Sequence, residues 1–248
     1  MRFPARRAFL VLGIVVLALV LFFWNSFPRP SADPVQSPAS SIPSHRPEPS
    51  EPIQPSVALG PPEEVALVAF KEEKRLALWV RGGAAPRASG RRPAWTFVRD
   101  YPILAASGRA GPKLREGDRQ VPEGVYRVVS MNPYSKFYLS MMIDYPNAFD
   151  RRKGSEDGRT RLGGEICIHG GAASIGCLAV GDEAIEELYH LVGEVEAENV
   201  LVLIAPNDIR QGRPVVRSPQ SPPWVDELYR DLRRELAAFE PRPDPATD

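Results

Sequence analysis

Ile166-Cys167-Ile168-His169-Gly170-Gly171-Ala172-Ala173-Ser174-Ile175-Gly176-Cys177-Leu178-Ala179-Val180 is a run in which a strand delivers a histidine, a loop of small residues follows, and a Gly-Cys pair precedes a helix. Small residues let the backbone fold back tightly, so two side chains eight positions apart can meet. A free thiol, with a pKa of about 8.5, is only a few per cent thiolate at neutral pH, so a cysteine nucleophile needs a base beside it. His169 is placed to take that proton from Cys177. Gly176 permits an unusual backbone conformation and close substrate approach. Backbone N–H groups around Gly176 and Cys177 are candidates to hold the oxyanion of a tetrahedral intermediate. Three other readings stay open on spacing alone. Cys177 fits a buried small hydrophobe. Cys167 and Cys177 fit a disulfide in an oxidising compartment. Cys167, His169 and Cys177 fit a zinc site, although no obvious fourth ligand lies nearby.

Outward from this run the texture is that of strands. Residues 65–70, 75–81, 94–99, 103–107, 125–131, 137–143, 165–169 and 200–204 are rich in β-branched or aromatic side chains, several between turn residues. In the second of these, Leu76, Leu78 and Val80 share one face. Residues 120–124 are a turn signal. Residues 182–198 read as a helix with Asp182 as N-cap, because Ile185, Leu188, Val192 and Val195 recur at helical spacing. A second helix is expected over 222–239, with Ser221 as N-cap, Pro222 in its first turn, and Trp224, Leu228 and Leu232 on one face. The fold class is therefore mainly β (α+β), with one or two helices and no internal repeat. Residues 151–161, with Arg151, Arg152, Lys153, Arg159 and Arg161, read as a basic, glycine-containing loop. Such a loop is either a solvated connection or a mobile flap that attracts carboxylates.

Upstream, the chain changes character twice. Arg2, Arg6 and Arg7 precede an unbroken apolar run from Ala8 to Trp24 of 17 residues, the lower end of the roughly 17–25 that span a bilayer. No convincing cleavage site and no lipid-accepting cysteine follow it. The expectation is an uncleaved anchor with a cytoplasmic N-terminus, a cleaved signal being the alternative. Residues 28–62 contain 11 prolines among Ser, Glu and Gln, which suits an extended spacer unable to bury an apolar core. His45 falls in this spacer. The organisation read from the sequence is thus an anchor or signal over 1–27, a linker over 28–62, a catalytic domain over 63–206 and an extension with a helix over 207–248. Lysine and arginine total 31 against 31 acidic residues in 248, so no basic excess argues for nucleic acid. The two cysteines, Cys167 and Cys177, and three histidines, His45, His169 and His190, leave few candidates for thiol or imidazole chemistry. His190 falls on the first helix, and Cys167 reads as a buried strand residue.

Taken together, His169-Gly170 and Ser174-Ile175-Gly176-Cys177 resemble the active-site motif of the L,D-transpeptidase (YkuD) catalytic domain family. The short loop between histidine and cysteine, and Asp182-Glu183 with Ile185-Glu186-Glu187-Leu188-Tyr189 after it, resemble the YafK branch. So do Ser107-Gly108 with residues 111–118, then Pro122-Glu123-Gly124, then Asn132-Pro133 and residues 145–150. The resemblance covers about 63–206. It implies an L,D-transpeptidase fold of β-sandwich-like sheets with a helix after the active-site loop. It also implies Cys177 as acyl-accepting nucleophile, His169 as general base and the Gly170 carbonyl as the group that orients the imidazole. Ser174 and Gly176 would shape the loop and oxyanion site, and Tyr145, Asn147 and Arg161 are the candidate substrate contacts. The implied partners are peptidoglycan stem peptides, and for the YafK branch a wall-attached lipoprotein, with the inner membrane reached through the N-terminal helix. That places the domain in the periplasm, with no metal or organic cofactor. The outcome is transfer to an amine or hydrolysis by water; a non-catalytic wall-binding module is the reading from a different class. The wider family has a second histidine where Ile175 stands and an arginine where Ala179 stands. The dyad is untouched by these changes, which bear instead on the stem-peptide contacts.

Overall fold

Among the described residues, β-branched and aromatic runs between turns fold as nine strands, with three α-helices set among them. In chain order they are β1 (Glu64–Phe70), β2 (Arg75–Arg81), β3 (Thr96–Pro102), β4 (Ala105–Ala106), β5 (Gly124–Ser135), β6 (Tyr138–Ile143), α1 (Ala148–Glu156), β7 (Cys167–His169), β8 (Leu178–Ala179), α2 (Asp182–Val195), β9 (Val200–Ala205) and α3 (Val225–Leu236). This computed structural model describes residues 61–82, 93–211 and 221–241. The apolar run over 8–24, and the proline-rich stretch as far as residue 60, lie outside the described residues. Among the described residues no helix is long and apolar enough to cross a membrane.

The strands form one ladder in the order β3-β2-β1-β9-β5-β6-β7-β8-β4. β9 runs parallel to β1, so the chain returns through α2 before it pairs. β5 joins the two halves of the ladder. Its first residues, Gly124 to Arg127, pair with β9, and from Val128 onward it pairs with β6 through irregular register at Val128/Ser130 and Asn132/Ser135. Such irregularities bend a strand and re-aim it. Leu67 and Val80 from one half and Met141, Ile168 and Leu178 from the other meet in one core, closed by Ile185, Leu188 and Val192 of α2. The sheets therefore fold over a shared interior, a mainly β architecture with helices, as expected.

The first half of the ladder is buried on both faces, which alternation alone did not announce. Leu76, Leu78 and Val80 face the core just described, whereas Ala77 and Trp79 face a second one. That second core is roofed by α3, which contributes Val225, Leu228, Tyr229, Leu232 and Leu236. Phe239 beyond the helix packs edge-on against Trp79 with ring centroids 5.4 Å apart and stacks on Trp95 at 5.2 Å. Burying an aliphatic or aromatic side chain of this size contributes roughly 1.5–3 kcal/mol each, so this face is a substantial part of the fold. A polar tie runs through it. Glu123 is buried and accepts from Lys71 Nζ at 3.1 Å, from the Gly111 N–H at 2.7 Å and from the Tyr229 hydroxyl at 2.9 Å.

Several local expectations change. Residues 151–156, expected as the start of a loop over 151–161, instead belong to α1. Its sequence carries no apolar stripe, and its stability at the N-terminus comes from a reciprocal cap: Asn147 Oδ1 accepts from the Asp150 N–H at 3.1 Å and Asp150 Oδ2 accepts from the Asn147 N–H at 3.0 Å. Asp182 is not the cap of α2. Gly181 holds that position, because the Asp182 carboxylate is turned toward the loop after β7. α3 begins at Val225 rather than at Pro222, since residues 223–224 form a turn closed by the Val225 N–H on the Pro222 carbonyl at 3.1 Å.

Candidate active site

β7 is three residues long and lies between β6 and β8, with His169 opposite Ser140 on one side and Ala179 on the other. His169 is 2% exposed. Its Nδ1 lies 2.7 Å from the Gly170 carbonyl oxygen. A carbonyl can only accept, so Nδ1 carries the proton and the other ring nitrogen is left as an acceptor. The imidazole and the Cys177 sulfur interact, and each favours the charged form of the other. The ring of Phe137, from the β5–β6 turn, lies against the imidazole with centroids 4.4 Å apart.

Two glycines are required by this geometry. A Cβ at Gly170 would lie 2.5 Å from Asp182 Oδ1 and 2.6 Å from the Phe137 carbonyl oxygen. Gly176 has φ +99°, a conformation that L side chains rarely adopt. α2 braces the same loop, with Asp182 Oδ1 accepting from the Gly171 N–H at 2.7 Å. The cysteine's own backbone is held by Ser174, whose Oγ accepts from the Cys177 N–H at 2.9 Å and donates to the Cys177 carbonyl at 2.6 Å. The Gly176 N–H donates to Ser107 Oγ at 2.6 Å. Both N–H groups considered as oxyanion donors therefore rest on serine hydroxyls, which a substrate oxygen would have to displace.

The two cysteines are neighbours. β7 and β8 run parallel, with Ile168 opposite Leu178 and His169 opposite Ala179, so one step back along the same register sets Cys167 beside Cys177. Both thiols are free. The Cys167 N–H donates to Cys177 Sγ at 3.3 Å. A hydrogen bond from the Cys167 thiol, joined by the one from His169, holds the Cys177 thiol down at about 4 against the opposing pull of burial. The same sulfur–sulfur contact, together with burial, pushes the Cys167 thiol up. One proton thus leaves the pair early and the other late. Burial pulls the pKa of His169 down, but its bonds to the Cys177 sulfur and the Gly170 carbonyl outweigh that, and the net direction is up. The result is a stabilised thiolate–imidazolium pair, the state a nucleophilic cysteine needs.

Of the other candidates, Tyr145 is buried, and its hydroxyl donates to the Leu162 carbonyl at 3.2 Å and the Lys113 carbonyl at 3.4 Å. Asn147 caps α1 and donates to the Val125 carbonyl at 2.9 Å. Arg161 lies at the surface and pairs with Glu116 at 2.8 Å. The polar atoms of Tyr145 and Asn147 are therefore committed to the backbone framework. Sequence reasoning did not assign Ser107, Phe137 or the sulfur contact of Cys167. Ser107 lay in a segment that carried the resemblance, but its partner is 69 residues away. Among the described residues, no group of three or more His, Cys, Asp or Glu is arranged to hold a metal ion.

The YkuD model, that of the L,D-transpeptidase catalytic domain, matches residues 64–216. The chain belongs to this L,D-transpeptidase catalytic domain family. Among curated proteins, it is 37% identical over 125 residues to YafK of Escherichia coli strain K12, provisionally named an L,D-transpeptidase, and equally to YafK of Escherichia coli O157:H7. Those matches span 50% of this chain and 45% of each relative, so the chain covers less than half the length of the curated relatives it matches. Among solved structures, the helical cell shape determining protein Pgp2 from Campylobacter jejuni is 21% identical, with a TM-score of 0.45 over 60% of this chain and 51% of its own. Bd1075 of Bdellovibrio bacteriovorus is 20% identical, with a TM-score of 0.41 over 72% of this chain and 56% of its own. As a member of the L,D-transpeptidase family, the chain presents its cysteine and histidine within the matched region.

Proposed function

We propose that this protein is a cysteine acyltransferase acting on peptidoglycan stem peptides at meso-diaminopimelate. The observation that carries the reading is the imidazole of His169, fixed by the Gly170 carbonyl at 2.7 Å, with the Cys177 sulfur as the group whose ionisation it favours. His169 takes the thiol proton, and the Cys177 sulfur attacks the carbonyl carbon at the L-centre of diaminopimelate. The tetrahedral intermediate collapses as the C–N bond breaks, His169 returns the proton to the leaving amine, and a thioester remains on Cys177. A second amine, attacking the thioester carbonyl and losing its proton to His169, completes the transfer and frees the sulfur. Water in place of that amine gives hydrolysis with the same residues. The Gly176 and Cys177 N–H groups would stabilise the oxyanion once it displaces the Ser107 and Ser174 hydroxyls. The apolar run at 8–24 and the proline-rich linker after it would hold the domain, which we place at 63–206 with a C-terminal extension over 207–248, on the periplasmic side of the inner membrane. That arrangement suits a polymer that cannot diffuse to its enzyme.

The test is incubation of the protein with tetrapeptide muropeptides and with lipoprotein-linked muropeptides, the products followed by mass spectrometry beside Cys177→Ala. Dimers linked between two diaminopimelates, absent with the variant, are the expected result. Release of the lipoprotein fragment without dimers would make the enzyme an amidase. No change in either substrate and no thioester mass on Cys177 would leave only a wall-binding module.

A further inference from the structure

We propose that Cys167 is a positioning residue for the Cys177 sulfur, its backbone N–H and its thiol together receiving the negative charge when His169 takes the proton. The inference rests on the dyad reading above and extends it to a residue outside the histidine–cysteine motif.

Three observations converge on it. First, β7 and β8 run parallel with Ile168 opposite Leu178, so Cys167 at the start of β7 and Cys177 just before β8 are neighbours at one end of that pairing. Second, the Cys167 N–H already points at Cys177 Sγ, 3.3 Å away. Third, both sulfurs lie against one oxygen, the Glu165 carbonyl, at 3.7 Å for Cys167 and 3.8 Å for Cys177. Glu165 adopts φ +55°, a left-handed conformation uncommon for a side-chain-bearing residue, and its carbonyl faces both sulfurs.

The chemistry follows from counting donors and acceptors. With both sulfurs protonated, two weak S–H donors share one carbonyl acceptor. Transfer of the Cys177 proton to His169 turns that sulfur from a donor into an acceptor. The Cys167 S–H can then swing from the Glu165 carbonyl to the thiolate, a charge-assisted bond stronger than the one it leaves. The groups facing the Cys177 sulfur are then the imidazolium of His169 and the thiol and N–H of Cys167; the Glu165 carboxylate acts on the Cys167 thiol and opposes its ionisation. Cys167 thus stays protonated while its neighbour is charged. This gives the second cysteine a use that a buried strand residue would not have.

The test is the pH dependence of Cys177 alkylation by iodoacetamide in the full chain, with the two cysteines distinguished by fragment-ion mapping. Cys167→Ala removes the thiol donor and keeps the N–H; Cys167→Ser keeps a hydroxyl donor. The midpoint for Cys177 is expected to rise by roughly one pH unit in the alanine variant, about a tenfold loss of thiolate below the midpoint, and to return most of the way with serine. A midpoint equal to wild type in Cys167→Ala, or an equal rise in both variants, overturns the inference and leaves the dyad standing. A wild-type midpoint at the value of a free thiol, about 8.5, overturns both. Far-ultraviolet circular dichroism of each variant confirms that the comparison is between folded proteins, and the serine variant keeps the test intact if alanine unfolds the chain.

Discussion

The sulfur of Cys177 is held down at about 4 by the Cys167 thiol first and by His169 after it, and against the pull of burial the imidazole of His169 is held up by Cys177 and the Gly170 carbonyl. The working form is therefore thiolate with imidazolium. Below about 4 the thiolate is protonated and no nucleophile remains; above the raised value of His169 the acid that protonates the leaving amine is lost. kcat/KM on a muropeptide is expected to rise through pH 4, hold through the ordinary imidazole range and fall only above it, read from a pH series under single-turnover conditions. An acidic limb near the free thiol value would show that the two side chains do not act as a pair. Gly176→Ala forces a Cβ onto a residue at φ +99°, with an expected strain of roughly 1–2 kcal/mol. Since that residue also presents an N–H proposed for the oxyanion, the expected result is a drop in kcat of roughly tenfold or more. The histidine and the cysteine could be read from their spacing because a small-residue loop joins them. For Cys167 the spacing left a disulfide, a zinc site and a buried strand residue open, because its place beside Cys177 depends on how β7 pairs with β8, and no local pattern encodes register.

α1 exists because of its first turn. The sequence from Ala148 to Glu156 has three basic residues in a row and a glycine, with no stripe to bury, so periodicity predicts a loop. Asn147 and Asp150 satisfy each other's N–H groups and start the helix regardless. Asn147→Ala is expected to destabilise the protein by about 1 kcal/mol, from the lost cap and the lost bond to the Val125 carbonyl, measured as a shift in urea midpoint at unchanged slope. By contrast α2 was legible, since Ile185, Leu188, Val192 and Val195 repeat at helical spacing and all four are buried. Its start was misread for a physical reason. An aspartate before a helix usually caps it, but the Asp182 carboxylate instead receives the Gly171 N–H, on the loop that follows the histidine. β8, two residues long, has no pattern of its own and is defined only by β7 and β4 beside it.

Strands β1 and β2 are apolar on both faces, a composition that tells of two cores without telling what covers the second. The cover is α3, anchored by Leu228, Leu232 and Leu236 and by the Tyr229 hydroxyl on Glu123. Leu232, fully buried, is expected to destabilise the fold by roughly 2–5 kcal/mol when cut to alanine, measured by urea unfolding. Lys71→Met leaves the Glu123 carboxylate buried without its cation, and the expected loss of roughly 3–5 kcal/mol exceeds that of an exposed pair such as Arg161–Glu116. The same measurement on Arg161→Ala should show a change within about 1 kcal/mol.

Kinship and cooperativity draw different borders through this chain. The family match closes at residue 216, whereas the helix that roofs the second core begins at Val225 and the ring that stacks on Trp95 is at 239. A descendant that kept every inherited residue of the match and lost the remainder would still carry its cysteine and histidine. It would also expose Phe70, Trp79 and Leu203 to water as one continuous oily face, and its fate would be decided by self-association before chemistry began.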